Sequence, residues 1–203
     1  MEALTPAPFL VNTIWYGPGM KDRLGRQSWL DAGLARLGSH GHEGLRVMAI
    51  AETLGVTKGS FYWHFRDHPE YLAALLDEWE RSHTQQVIDQ VESAGGAPAA
   101  KLRQLLAVTL AADPSSTQAI RAWGRVDATV ASAVWRVDEK RLAYTAGLLE
   151  ALGWAPDQAA TLASWSYAAL IGHFALRGPA LNDAQIDLVL STITGAPRAG
   201  RPQ

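Results

Sequence analysis

The sequence predicts an all-α protein in which three short helices and one long helix precede a larger helical body. Apolar residues recur at helical spacing along most of the chain. Sustained apolar–polar alternation and hairpin turns of the Asn-Gly or Asp-Gly type, which would indicate strands, are absent from the sequence. Hydrophobic residues make up 48% of the 203 residues and charged residues 19%, so we expect a globular chain rather than a disordered one.

The first three predicted helices are short. Their apolar positions are Leu30, Leu34 and Leu37 in the first, Ile50, Ala51 and Leu54 in the second, and Phe61 and Phe65 in the third. Gly38 and Gly41 are expected to end the first helix and Gly55 the second, because glycine readily adopts the left-handed conformation that follows many helices.

A long helix is predicted to lead from this region into the body. Asp67, Pro69 and Glu70 form its start signal, with a capping side chain, a proline tolerated in the first turn and an acid near the positive end of the dipole. Its apolar side carries Leu72, Leu75, Leu76, Trp79 and Val87. The segment 94–98 interrupts the pattern, and further helices are predicted at about 98–112, 115–123, 127–152, 156–177 and 183–194.

The second and third helices are joined by a tight turn. Gly55 is expected to be left-handed, Val56 to fill the angle between the helices, and the Thr57 hydroxyl to cap the third helix by accepting a backbone N–H. If Phe61 and Phe65 face the core, then Lys58, Gly59, Tyr62 and Trp63 point outward, with Ser60 and His64 on the flanks. An exposed helix of this kind fits the major groove of DNA, although helix-turn-helix geometry also occurs as plain packing.

The run Ile50-Ala-Glu-Thr-Leu-Gly-Val-Thr-Lys-Gly-Ser-Phe-Tyr-Trp-His-Phe65 closely resembles the signature of the TetR family of bacterial regulators. The helix that begins near Trp29 resembles the first helix of that family, and the resemblance covers about residues 23–80. It implies a dimeric repressor that binds an inverted-repeat operator in double-stranded DNA and is released by a small-molecule inducer. An activator or a corepressor-dependent regulator has the same fold and stays open as an alternative.

The resemblance also implies DNA-binding roles for individual residues. Lys58, Gly59 and Tyr62 would line the groove, with Lys58 bonded to a guanine edge, and Met48 would contact a thymine methyl. The residues expected to contact phosphate or sugar are Thr57, Ser60, Trp63, His64, Arg46 and Arg66. His68 stands where the family often has a lysine, so a phosphate contact there would strengthen on protonation.

We therefore divide the chain into a flexible arm (1–21), a helix-turn-helix DNA-binding domain (22–82, motif about 46–65), a ligand-binding and dimerisation domain (83–195) and a tail (196–203). Met20 is an alternative natural start to Met1. The first 20 residues lack signal-peptide features and no apolar run is long enough to span a membrane, so we expect a cytoplasmic protein without a membrane partner. The absence of cysteine excludes disulfides and thiolate metal sites, and neither metal nor cofactor is predicted.

The last two helices are the expected dimer surface, because small and large apolar residues alternate along 158–177 and continue in 183–194; packing within one subunit is the alternative. The resemblance places an effector inside the body, and the eight tryptophans of the chain favour an apolar or aromatic one. Candidate pocket residues are Trp79, His83, Leu106, Leu110, Trp123, Val126, Val130, Trp135, Tyr144, Trp165 and His173, which could equally fill the core.

Two other classes of protein are disfavoured. A small helical enzyme would need a catalytic motif, and the pairs His40/His42 and His64/His68 match no known metal or nucleophile arrangement. We expect the first pair to lie in a solvated loop. A helical adaptor would leave the exposed Lys58 and Tyr62 without a role.

Overall fold

A computed structural model of the chain describes residues 25–195, so the predicted arm, the Met20 start and the tail lie outside the described residues. The helices are α1 (Arg26–His40), α2 (Val47–Leu54), α3 (Lys58–Phe61), α4 (His68–Glu80), α5 (Gln86–Ala94), α6 (Pro98–Ala111), α7 (Ser115–Trp123), α8 (Ala128–Ala151), α9 (Pro156–Ala175) and α10 (Asp183–Thr194). The part of the chain that the structure describes contains no strand, which confirms the predicted all-α fold. No helix within it is long and apolar enough to cross a membrane.

Helices α1 to α4 form the N-terminal head around a fully buried aromatic core. Trp29, Phe61 and Tyr71 have no exposed surface, and the Tyr71 hydroxyl donates a 3.0 Å hydrogen bond to the Trp29 carbonyl. Gly33 allows the close approach of α1 and α4, because a Cβ there would lie 1.9 Å from the Tyr71 hydroxyl oxygen. The predicted core of the head is thus confirmed.

Helices α4 and α5 form one long helix that is interrupted by a π-helical turn at Arg81–Gln85. The predicted start is confirmed, since the Asp67 carboxylate accepts a hydrogen bond from the Glu70 N–H at 2.8 Å. The π turn was not predicted. Turns of this type are frequent at functional sites, and this one carries His83 and Thr84 into the wall of a cavity.

The body, α6 to α10, is packed against the head through α7. Ile120 and Trp123 of α7 and Val130 of α8 belong to the same buried cluster as Trp29, so one apolar core runs through both parts. A second cluster joins α6, α8 and α9 around Leu149. The observed bounds confirm every helix predicted beyond residue 98 to within about two residues.

Three local predictions were wrong. Of the two glycines expected to end α1, Gly41 follows its last residue as predicted, but Gly38 lies inside the helix, where the close approach of α7 requires a small residue. The Thr57 hydroxyl caps no N–H; the Thr57 carbonyl accepts from the Ser60 hydroxyl at 2.7 Å in this single-turn helix. The loop expected around His42 is a 3₁₀ turn (His42–Leu45), and the His42 ring stacks on Trp123 with centroids 5.9 Å apart.

Candidate nucleic-acid interface and effector cavity

The turn between α2 and α3 has the predicted geometry. Gly55 adopts φ +66° and ψ 30°, and the Gly55 and Val56 N–H groups bond back to the carbonyls of Glu52 and Ala51. Half-buried Val56 packs against the core of the head. This turn fixes α3 across the end of α2.

The two sides of the α3 segment differ sharply in exposure. Phe61 and Phe65 are 0% and 1% exposed, whereas Tyr62 is 54% and Trp63 87% exposed. Met48 at the start of α2 is also 62% exposed. Because leaving large apolar side chains in water forgoes favourable burial, the exposure of these three side chains indicates a contact surface.

The remaining candidate DNA contacts are exposed or half-buried. The exposed residues among them are Arg46, Thr57, Lys58, Gly59 and Arg66, and the half-buried ones are Ser60, His64 and His68. The Arg66 guanidinium is bonded to Asp67 at 3.0 Å. This pairing raises the pKa of Arg66 above its ordinary value. The pKa of Asp67 is lowered first by the hydrogen bond from the Glu70 N–H and then by the hydrogen bond from Arg66.

His68 is tied into the head rather than pointing freely outward. Its Nε2 lies 2.7 Å from the Leu45 carbonyl oxygen, and since a carbonyl only accepts, Nε2 carries the proton. A phosphate contact by His68 is therefore restricted to Nδ1. Arg26, an exposed residue, has its guanidinium 4.9 Å from the centroid of the Phe65 ring, four residues beyond the end of α3. Arg26 lies outside the helix-turn-helix motif, so no pattern in the sequence indicated a DNA contact there.

Residues 30–75 of the chain match the family of bacterial regulatory proteins of the TetR type. The match is confined to the head, which is thereby similar to regulators of the TetR family. A 34-residue segment is 50% identical to the HTH-type transcriptional regulator TtgR of Pseudomonas putida, but it covers only 17% of this chain and 16% of TtgR.

The likeness to solved structures extends well beyond the head. The structure matches E. coli NemR in its reduced form with a TM-score of 0.66 and 19% identity, over 84% of this chain and 95% of NemR. A TetR-like transcriptional regulator from Rhodococcus sp. RHA1 matches with a TM-score of 0.62 and 18% identity, over 92% of this chain and all of that protein (100%). At these identities the likeness concerns the fold alone.

The body contains a cavity of about 330 Å³ between the π turn and helices α5 to α9. A neighbouring cavity of about 240 Å³ lies between α6, α8, α9 and α10. Of the candidate pocket residues, His83 and Tyr144 line the first, and Leu106, Leu110 and His173 line the second.

The other six candidate pocket residues line neither cavity. Trp79, Trp123 and Val130 are buried in the core shared by head and body, whereas Val126, Trp135 and Trp165 are more than two-thirds exposed. Helical spacing marks a residue as apolar but does not separate the core, a cavity wall and an outer face.

A polar network that the sequence analysis did not predict lies in the wall of the first cavity. Arg121 donates to both carboxylate oxygens of Asp138 and to the Tyr167 hydroxyl, which also donates to Asp138 at 2.7 Å. Arg141 donates to the same hydroxyl at 3.0 Å. These residues come from α7, α8 and α9, so their association depends on tertiary packing. Among the described residues, no group of three His, Asp or Glu side chains is arranged to hold a metal.

Burial and charge shift two groups of this wall. Burial first, and then the nearby Arg141 charge, lower the pKa of His83, so its imidazole is neutral at pH 7. Burial also raises the pKa of Tyr167 and keeps its hydroxyl protonated. The cationic groups that line the cavity are therefore the two guanidinium groups.

Proposed function

We propose that the chain is a homodimeric, sequence-specific transcriptional regulator of the cytoplasm, most simply a repressor that a small-molecule effector releases from an inverted-repeat operator. The single observation that carries this proposal is the exposed side of α3 and of the turn that follows it. Phe61 is held in the core while Tyr62 and Trp63 face solvent next to Lys58. An exposed helix with a cation and amphipathic aromatics suits the major groove.

Exposed apolar residues on the last two helices support the dimer. Trp165 of α9 is 75% exposed and Leu188 of α10 is 66% exposed, with exposed Ala168 and Ala169 beside Trp165 in the sequence. Small residues allow helices to approach closely, and the larger ones supply the buried area. Pairing of α9 and α10 with their copies would cover these residues and set two heads side by side.

Contacts between the cavity and the head support effector control. The Trp79 indole N–H donates to the Thr117 hydroxyl at 3.0 Å, and Thr117 lines the first cavity. Two residues earlier, Ser115 is so close to α1 that a Cβ on Gly38 would lie 2.5 Å from its hydroxyl oxygen. An effector that shifts α7 would thus move α1, and with it the spacing of the two heads.

Selection of the purified full-length chain against random duplex DNA tests the proposal. We expect an inverted repeat bound at about 10⁻⁸ M or tighter at physiological salt. Recovery of only sequence-independent, salt-sensitive binding would contradict it. A reporter placed behind the selected repeat then decides whether transcription falls or rises when the protein is present.

Variants of α3 test the assignment of the groove-facing helix. Lys58→Ala should weaken operator binding by about 1–3 kcal/mol and relax one position of the selected sequence. Tyr62→Ala should weaken binding sharply without unfolding the head, because its ring is half exposed. Lys140→Ala, which removes the same charge from the body, is the matched control and should bind as the unmodified chain does. Unchanged binding in both α3 variants would remove α3 from the groove.

A further inference from the structure

The two cavities of the body differ in the polarity of their walls. They share part of their walls, including Thr109, Tyr167 and Leu170. The first contains the two guanidinium groups, whereas the second is lined mainly by leucine, isoleucine, valine and alanine side chains of α6, α9 and α10. A molecule that fills both would therefore meet charge at one end and an apolar surface along the rest.

The two guanidinium groups differ in how they are neutralised. Arg121 forms an ion pair with the Asp138 carboxylate, which both of its terminal nitrogens contact. Arg141 has only neutral acceptors: the Thr84 hydroxyl, the His83 carbonyl and the Tyr167 hydroxyl, each at 3.0 Å. No ion pair in the described part of the chain involves Arg141. The Asp138 carboxylate reaches Arg141 only through the Tyr167 hydroxyl and is already paired with Arg121, so two guanidinium groups share one carboxylate.

Other neighbouring groups do not cancel the remaining positive charge. Asp113 also lines the first cavity, but it is exposed and both of its oxygens accept hydrogen bonds from Ser115. His83 is neutral at pH 7. Arg141 further lies over the Trp79 ring at 5.8 Å, which fixes its guanidinium without supplying a negative charge.

We infer that the paired cavities bind an amphipathic carboxylate, with the anionic head at Arg141 and the apolar body along α6, α9 and α10. A guanidinium has five N–H donors in a fixed fork, and three are engaged, so two remain for a carboxylate. A partly buried cation is stabilised by a charge-assisted pair, whereas a neutral or cationic ligand supplies no such pair. The inference deepens the proposed function, because this ligand would be the effector.

A matched ligand series tests the head group. Isothermal calorimetry of the full-length chain with octanoate, octan-1-ol and octylammonium holds the apolar body constant and varies only the charge. We expect octanoate to bind at least about tenfold more tightly than octan-1-ol, and octylammonium more weakly than either. Equal binding of acid and alcohol, tighter binding of the amine, or no binding by any of the three would overturn the inference.

Two arginine variants on the same helix test the residue. Arg141→Gln should reduce the preference for octanoate over octan-1-ol to within about twofold, whereas Arg136→Gln, five residues earlier and exposed, should retain it. An acid preference that persists in Arg141→Gln would overturn the assignment of the head group to Arg141. If Arg141→Gln does not fold, the ligand series on the unmodified chain still decides the ligand class.

The DNA selection separates this inference from the proposed function. If the ligand-free chain selects no DNA sequence but prefers octanoate, the proposed regulator function fails and the ligand class stands. If the chain selects an inverted repeat but shows no preference for octanoate, the ligand class alone fails. Release of the selected duplex by octanoate and not by octan-1-ol would support both.

Discussion

The core that head and body share and the outer faces of the body use tryptophan in opposite ways. In the head, Trp29 and Trp79 are completely buried, and Trp29 meets Phe61 edge to face with ring centroids 5.3 Å apart. In the body, Trp135 and Trp165 are 71% and 75% exposed. The shared core is completed within one protomer by residues of the head, α7 and α8, whereas the outer faces of the body leave large apolar side chains for other molecules to cover.

This difference predicts different responses to mutation. A residue that is buried within one protomer stabilises that protomer directly, because its removal leaves a cavity that the surroundings fill only in part. An exposed aromatic residue contributes little to the stability of the protomer but can contribute strongly to the binding energy of an assembly. The largest effects on folding should therefore come from the head and the core that it shares with α7 and α8.

Trp29→Ala should produce the largest loss of stability. The side chain has no exposed surface and lies at the centre of the head, so its removal should lower the free energy of unfolding by about 3–5 kcal/mol. Trp63→Ala is the matched control: 87% of Trp63 is exposed, so the same change should alter the free energy by less than about 0.5 kcal/mol. Urea unfolding at one fixed protein concentration measures the stability of both variants. Similar losses in the two would contradict the expectation that the buried tryptophan stabilises the protomer more than the exposed one.

The ion pair in the body should give the next largest effect. The Arg121 and Asp138 side chains are 22% and 26% exposed, so Arg121→Met, which leaves Asp138 without its cation, should destabilise the chain by about 2–3 kcal/mol. The double variant Arg121→Met with Asp138→Leu should recover much of that loss, because it removes both charges. Thermal unfolding of the single and double variants tests this. Additive losses would show that the pair is not coupled.

The helices of both regions and the turn of the head could be predicted from the sequence because local signals determine them. Gly55 ends α2 in the left-handed region, Asp67 caps α4, and Pro98 and Pro156 each begin a helix as the sequence indicated. Each of these features depends on residues within one helical turn of one another.

The cavity could be predicted only in part, because its wall is assembled from distant segments. Arg141 meets Thr84, 57 residues away, and Arg121 meets Tyr167, 46 residues away. No spacing in the sequence records such contacts. The high tryptophan content predicts an aromatic pocket, yet Trp123 is in the core and Trp165 is on the surface.

A pair of glycine variants tests the contact between α1 of the head and α7 of the body, and the expected effect is smaller. Gly38→Ala should lower stability by about 1 kcal/mol, because a Cβ at 2.5 Å from the Ser115 hydroxyl oxygen forces α1 and α7 apart and outweighs the gain in helix propensity. Gly147→Ala in α8 meets nothing within 4 Å and should raise stability by up to about 1 kcal/mol. Urea midpoints measured side by side check the pair. Equal gains in both variants would show that α1 and α7 tolerate separation.

The smallest effect concerns the start of the helix that leads from head to body, and it appears only as a function of pH. The Glu70 N–H, and then Arg66, stabilise the Asp67 carboxylate and lower its pKa. Because the pKa is lower in the folded state, the contribution of this carboxylate to stability is complete above the ordinary pKa of about 3.9 and is lost as the pH falls through the folded-state pKa.

An Asn variant tests this contribution, because Asn caps a helix as well as Asp but does not titrate. The stability difference between the unmodified chain and Asp67→Asn should therefore be largest at pH 7 and should shrink below about pH 4. Urea unfolding of both proteins at pH 7, 4 and 3 measures it. A difference that stays constant over this range would mean that the Asp67 charge contributes nothing beyond the hydrogen bond that Asn also makes.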